Sequence, residues 1–214
     1  GTSVTLTATA ANDSTFTGWS GACAGTAACV VAISEARNVT ANFALKTFAL
    51  AVTRAGTGSG TVTSAPAGID CGGDCTENYN VGTSVTLTAT AANDSTFTGW
   101  SGACTGTAAC TVEMSEARSV SATFALKNFS LTVTKAGTGT GTVTSAPAGV
   151  SCGEDCGETY TIGTSVTLTA VAANDSTFTG WSGACTGAGT CTVAMSEVRN
   201  VTATFTPKNF SLTV

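Results

Sequence analysis

The octapeptide GTSVTLTA occupies Gly1–Ala8, Gly82–Ala89 and Gly163–Ala170, so the sequence repeats every 81 residues. A repeat of this length indicates one structural unit copied in tandem, and the fold is therefore analysed one copy at a time. Within the octapeptide, Val85, Leu87 and Ala89 alternate with hydroxyl-bearing residues. This period of two is typical of a β-strand with one buried and one exposed face.

The same alternation returns through the rest of the repeat, here taken from Thr47. It predicts a strand over 48–53, a glycine-rich hairpin turn over 55–60 and a returning strand over 61–64. Further strands are predicted around Tyr79 and over 84–90, 96–100, 111–115 and 119–125. No stretch has a convincing helical period. The sequence therefore predicts an all-β array of small modules.

The segment Phe97-Thr98-Gly99-Trp100 breaks the alternation, because its two aromatic residues stand at odd spacing. A regular strand would send them to opposite faces. A β-bulge at Gly99 would bring both rings into the core, and we favour that arrangement. The alternative leaves a ring exposed. If the tryptophans were exposed, they would form a row of aromatic platforms on which sugar rings could stack. They are Trp19, Trp100 and Trp181.

The ten cysteines recur at two short spacings, an even number in each half-repeat. A zinc site would need convergent pairs at other spacings, and the chain has no histidine to complete one. Local disulfides also suit modules of about 80 residues, whose cores are marginal. Such bridges place the protein outside a reducing cytosol. The predicted pairs are Cys23–Cys29, Cys71–Cys75, Cys104–Cys110, Cys152–Cys156 and Cys185–Cys191.

The repeat boundaries predict four segments. They are 1–46, the C-terminal part of a repeat; 47–127 and 128–208, two full repeats; and 209–214, the first strand of a further repeat. Only Leu126-Lys127-Asn128 separates two copies, without a flexible linker, so we expect a stiff, rod-like array. We expect the chain to be part of a longer secreted polypeptide. Complementary ends would also let the last strand complete the sheet of an identical molecule.

Charge and residue type exclude several classes of function. With thirteen acidic and eight basic residues and a net charge of −5, the chain lacks the basic stripe that nucleic acid requires. No apolar run reaches the ~18 residues of a membrane-spanning helix. Without histidine there is no Ser-His dyad, and nothing marks a cleft with paired acids, so we expect neither an enzyme nor a cofactor. Asp70, Asp74 and Glu77 could ligate calcium, but a solvated charged loop is the favoured interpretation.

The order of several short motifs resembles the divergent InlB B-repeat family. They are the segments 60–71, 82–89, 97–102 (FTGWSG) and 120–124 (VSATF), and they recur along essentially the whole chain. The resemblance implies a small β-rich extracellular module, β-grasp-like or β-sandwich-like, found in tandem in bacterial surface and secreted proteins. It brings no catalytic residues.

These observations favour a structural function. The predicted role is a stiff spacer, stalk or fibre-forming segment of a bacterial surface or secreted protein, whose partners are neighbouring repeats of the same or identical chains. The alternative is an adhesin module that binds carbohydrate or a cell surface through the repeated tryptophans. In both cases we expect an extracellular location.

Overall fold

A computed structural model of the chain describes residues 1–153 and 155–210. Within these residues the secondary structure is entirely β, without a helix, which confirms the predicted fold class. The chain forms two compact units. The first contains Gly1–Ala92 and Phe97–Ala125, and the second contains Asn93–Thr96 and the chain from Leu126 onward.

The first unit opens with a partial repeat of four strands, which form two antiparallel pairs, β1 with β3 and β2 with β4. The strands are β1 (Thr2–Leu6), β2 (Ser14–Gly21), β3 (Cys29–Ile33) and β4 (Val39–Leu45).

The complete repeat of the first unit has seven strands in two sheets. One sheet has the order β10-β8-β6 and the other the order β7-β5-β11-β9. Strands β5 and β11 are parallel, whereas β6 and β10 both run antiparallel to β8. The strands are β5 (Thr47–Gly56), β6 (Gly60–Ala65), β7 (Thr76–Asn80), β8 (Ser84–Ala91), β9 (Ser95–Gly102), β10 (Cys110–Glu113) and β11 (Arg118–Leu126).

The inward faces of the two sheets enclose one hydrophobic core. Leu50 on β5 and Phe124 on β11 meet Val62 and Val85 from the three-stranded sheet, and all four are almost completely buried. The threonines that alternate with these residues face outward, so they keep the surface polar without adding charge. The module is therefore a two-layer β-sandwich.

The turn over 55–60 differs from the sequence prediction. We predicted a hairpin, but β5 and β6 do not pair; they belong to different sheets. The chain instead crosses from one layer to the other. Gly56 has a φ of +93°, and a Cβ there would collide with the carbonyl oxygen of Phe124 on the parallel neighbour. The glycine is needed for this close approach rather than for a tight hairpin turn.

The second unit repeats this architecture, with sheets of order β14-β12-β18-β16 and β13-β15-β17. Its core matches that of the preceding repeat residue for residue, from Leu131 and Val143 to Phe205. The strands are β12 (Asn128–Ala136), β13 (Gly141–Ala146), β14 (Gly157–Thr161), β15 (Ser165–Ala172), β16 (Ser176–Gly183), β17 (Cys191–Ala194) and β18 (Arg199–Pro207). Of the strand predicted over 209–214, residues 211–214 lie outside the described part of the chain, and Asn209 and Phe210 are not in a strand.

The partial repeat has an open edge. Strand β4 corresponds to β11, but it pairs only with β2 and has no parallel neighbour like β5 within the described residues. Phe43 on β4 is 47% exposed, whereas its counterparts Phe124 and Phe205 are 1% and 0% exposed. Ile33 and Leu45 are also exposed. Within the described residues, Phe43 and Leu45 thus form an exposed apolar strip on β4, here called the groove beside β4, whereas the equivalent strands β11 and β18 lie beside the parallel strands β5 and β12.

Candidate functional site

The ten cysteines form five local disulfides. The Cα–Cα distances are 5.6 to 5.7 Å for Cys23–Cys29, Cys104–Cys110 and Cys185–Cys191, and 4.3 Å for Cys71–Cys75 and Cys152–Cys156. These separations fall in the range that a disulfide can bridge or at its lower edge.

Both kinds of disulfide lie where the chain passes between the two sheets. The N–H of Cys71 donates to Val62 O on β6 (2.7 Å), and the N–H of Val52 on β5 donates to Cys75 O (2.8 Å). This bridge therefore joins loop positions bonded to opposite layers. Cys104 follows β9 of one sheet, and Cys110 begins β10 of the other. Each complete repeat thus has one covalent link at each of two sheet crossings.

The aromatic residues of each repeat form a compact cluster around the strand irregularity. Phe97 and Trp100 meet edge to face with ring centroids 5.0 Å apart, and Phe97 also packs against Phe124. In the flanking copies the register slips between Phe16 and Gly18 and between Phe178 and Gly180. The predicted bulge is therefore confirmed, and it turns both rings inward.

The tryptophans that we considered as sugar platforms are buried. Trp19, Trp100 and Trp181 are 9%, 6% and 5% exposed. Each indole Nε1–H donates to a carbonyl in the adjacent cysteine loop, at Ala27 (2.9 Å), Ala108 (3.1 Å) and Gly189 (2.9 Å). The indole rings thus hold the loop in place, and this burial leaves the carbohydrate alternative without an open stacking face.

Beside each tryptophan lies a small apolar hollow. In the complete repeat of the first unit it is bounded by Leu87 and Ala89 on β8, by Phe97 and Trp100, and by the loop over 107–109. Its volume is about 190 Å³, and the equivalents around Trp181 and Trp19 measure about 190 and 170 Å³. All residues that line these hollows are uncharged.

A lysine ties each repeat's end to an Asn-Asp turn. The Lys46 N–H donates to Asp13 O (2.8 Å), and its ammonium donates to Asn12 O (2.7 Å). Its own carbonyl accepts a bond from the Val81 N–H (2.9 Å), just beyond β7. The second unit contains the same arrangement: Lys127 binds the carbonyls of Asp94 and Asn93 and accepts from the Ile162 N–H. We call this arrangement the junction lysine.

Two acidic side chains of the loop that contains Asp70, Asp74 and Glu77 accept hydrogen bonds from nearby backbone N–H groups. Asp74 Oδ1 accepts the N–H of Thr76 (3.1 Å), and Glu77 Oε1 accepts the N–H of Asn78 (2.7 Å). Among the described residues, no group of three or more histidine, cysteine or acidic side chains could hold a metal ion. A larger cavity of about 500 Å³ lies beside Arg54 and the 56–60 turn, and no carboxylate lines it.

The profile of the family described as Divergent InlB B-repeat domain matches residues 1–47, 50–128 and 131–209. The chain belongs to this family. Three tandem copies of the B-repeat domain therefore account for almost all of its length. No curated protein matches the sequence significantly. No helix within the described residues is long and apolar enough to cross a membrane.

Several solved structures resemble this B-repeat array at low identity. The Bacillus anthracis TIE protein has a TM-score of 0.47 and 7% identity over 84% of this chain, which spans only 38% of that protein. The major pilin T-13 from Streptococcus pyogenes has a TM-score of 0.33 and 12% identity, with 76% and 97% of the two chains covered. The minor pilin GBS52 of Streptococcus agalactiae has a TM-score of 0.29 and 8% identity, over 78% and 99%. A likeness this weak carries no functional argument.

Two features of these sites escaped the sequence reasoning. The first is the junction lysine, although a signal existed: each lysine stands 34 residues after the asparagine whose carbonyl it binds. The second is the hollow beside each tryptophan, whose position depends on where the pairing of β8 with β10 ends. No local pattern encodes that separation.

Proposed function

We propose that this B-repeat array is a stiff extracellular spacer in a bacterial surface or secreted protein, and that its function is structural rather than catalytic. The observation that carries the proposal is the junction lysine. It ties the last strand of one copy to the Asn-Asp turn of that copy and accepts a bond from the chain that follows β7 of the next. Three hydrogen bonds at one residue oppose bending at a junction that contains no flexible linker.

The disulfides support an extracellular location. All ten cysteines are paired, and structural disulfides persist in oxidising compartments. Because each bridge links the two layers of one repeat, it would keep a repeat from being pulled open or entered by a protease.

Flexibility at the junction tests the proposal. The native chain is compared with a variant carrying Gly-Gly-Ser-Gly after Leu126 and a control carrying the same insertion after Glu116, in an exposed loop. Spin labels placed in the repeats before and after the insertion report distances by pulsed electron resonance. A narrow distribution in the native chain and the control, broadened by the junction insertion, supports the spacer. A native distribution as broad as that of the junction variant refutes it.

The open edge of the partial repeat favours a second function, assembly into fibres by strand addition. We propose that the groove beside β4 accepts a strand of the β5 type from an identical molecule. Phe43 in the groove is 47% exposed, and Phe210, in the sequence counterpart of β5 and β12, is 82% exposed. Both rings would gain from burial, and an unpaired strand edge is a template for such pairing.

Sedimentation over a range of concentrations tests the assembly. The native chain should form species larger than a monomer, and an added peptide with the sequence of Asn128–Ala136 should reduce them by competing for the groove. Phe43→Lys should give monomers, whereas Thr17→Lys, on the same two-stranded sheet, should not. A native chain that stays monomeric at millimolar concentration would rule out this function and leave the spacer untouched.

A further inference from the structure

The hollow beside each tryptophan coincides with an unpaired stretch of strand. Strand β10 pairs with β8 only as far as Cys110 opposite Leu87. On its other side, β8 stays paired with β6 up to Ala91. Among the described residues, β8 beyond Leu87 therefore has a paired strand on one side only, and its other side faces the hollow.

The direction of the backbone groups follows from the ladder. In an antiparallel strand, the N–H and C=O of one residue point to the same side, and successive residues alternate. The Ala92 N–H donates to Ser59 O at the entry to β6, so the even-numbered residues of β8 face β6. The N–H and C=O of Ala89 therefore point away from β6, toward the hollow.

A hollow of the same kind lies beside the tryptophan in the other two copies, although β1, unlike β8 and β15, has no paired strand on its other side within the described residues. Strand β1 reaches its last partner at Leu6 opposite Cys29, and β15 pairs with β17 only as far as Leu168. Ala8 and Ala170 then take the place of Ala89, and each lines its own hollow. The hollow, lined each time by a phenylalanine and a tryptophan, therefore recurs in all three copies.

We infer that each hollow is a binding site for an extended, uncharged peptide segment that inserts one apolar side chain. The backbone N–H and C=O of Ala89 form a donor and acceptor pair that matches another strand, and the polar side chains that line the hollow in this repeat are the hydroxyls of Thr88 and Thr107. The hollow beneath them offers Leu87, Phe97 and Trp100 to an apolar side chain.

The size and charge of the site restrict the partner. A volume of 170 to 190 Å³ is below the range of most small-molecule pockets but holds one side chain of medium size. No charged residue lines any of the three hollows, so a charged side chain would be buried there without a partner. The predicted ligand is a strand that alternates small polar residues with valine or leucine.

The experiment uses the whole chain and two synthetic peptides, acetyl-Thr-Val-Thr-Val-Thr-amide and acetyl-Thr-Lys-Thr-Lys-Thr-amide. Tryptophan fluorescence reports binding, because each hollow contains one indole. The valine peptide should bind at three sites, and the lysine peptide at least about tenfold more weakly. Equal binding of the two peptides, or no binding of the valine peptide at millimolar concentration, would overturn the inference.

A plugged variant locates the binding. Three equivalent exposed residues lie at the rims of the three hollows: Ala28, Ala109 and Thr190. The substitutions Ala28→Phe, Ala109→Phe and Thr190→Phe should fill the space below without disturbing the core. The control carries Ala36→Phe, Ala117→Phe and Val198→Phe, at equivalent exposed positions that do not line the hollows. The plugged variant should lose the valine peptide and the control should retain it. Unchanged binding by the plugged variant would place the peptide elsewhere, for example in the groove beside β4, and would refute the sites.

Hydrogen exchange supplies a measurement that needs no substitution. The amides of Ala8, Ala89 and Ala170 should exchange rapidly in the free chain and slow down when the valine peptide is added. Slow exchange in the free chain would mean that these groups are already paired, and the inference would fail.

Discussion

Phe97 and Trp100 lie on one face of β9 and meet edge to face, with ring centroids 5.0 Å apart, although three residues separate them in sequence. Gly99 makes this possible. Its φ of +148° is unfavourable for other residues, and a Cβ there would lie 3.1 Å from the Gly106 carbonyl oxygen. The same glycine therefore turns both rings inward and lets the cysteine loop approach the strand.

Replacing this glycine should destabilise each repeat. The triple variant Gly18→Ala, Gly99→Ala and Gly180→Ala should lose about 1–3 kcal/mol per repeat from backbone strain alone, measured by guanidinium unfolding. The control is Gly73→Ala with Gly153→Ala, positions where a Cβ would meet no atom within 4 Å. Equal loss in both variants would contradict the role given to the bulge.

Each disulfide should stabilise its repeat by restricting the unfolded chain, and the stabilisation depends only weakly on the length of the short loop that it closes. Replacing Cys71 and Cys75 together by alanine should cost about 2 kcal/mol, and the pair Cys104 and Cys110 should cost a similar amount. Protease resistance under native conditions provides the second measurement. Because the bridges link the two sheets at different crossings, removal of both pairs should accelerate cleavage of that repeat more than either alone. If the variant that lacks both disulfides resists the protease as well as the native chain does, the bridges are dispensable for this resistance.

The fold was partly predictable from sequence, for a physical reason. Alternation specifies which face of a strand is buried, so the strands around Val85 and Phe124 and their inward residues were predicted. Alternation does not specify the neighbouring strand. The parallel pairing of β5 with β11, and the crossing of the chain at Gly56, depend on contacts between residues some 70 positions apart. The glycines of that turn indicated a local hairpin, but their role is a close approach to Phe124.

The candidate sites show the same division. The cysteine pairs are close in sequence, so their spacing predicted them. The hollow arises where the pairing of β10 with β8 ends and the preceding loop instead accepts a hydrogen bond from the indole of Trp100. The junction lysine donates a hydrogen bond to a turn 34 residues earlier in the sequence. Such features depend on tertiary placement and require the structure.

The junction lysine should protect particular amides. Lys46→Met and Lys127→Met remove the ammonium that binds the Asn12 and Asn93 carbonyls, which should weaken each junction by about 1 kcal/mol because these hydrogen bonds are exposed to solvent. The amides of Val81 and Ile162, which donate to the lysine carbonyls, should then exchange faster. Lys135→Met is the matched control, since Lys135 donates to Gly141 O within its own repeat. Unchanged exchange at Val81 and Ile162 would remove the basis for a stiffened junction.

The open groove beside β4 predicts unequal effects of one substitution at two equivalent positions. Phe124 is 1% exposed and Phe43 is 47% exposed. Phe124→Ala should cost about 3–5 kcal/mol, because it leaves a cavity in a closed core. Phe43→Ala should cost about 1 kcal/mol or less in the monomer, since little packing is lost at a half-exposed site. Urea unfolding at low protein concentration measures both variants. If Phe43→Ala is as damaging as Phe124→Ala, the groove is already filled in solution, and the open edge described for the partial repeat does not persist there.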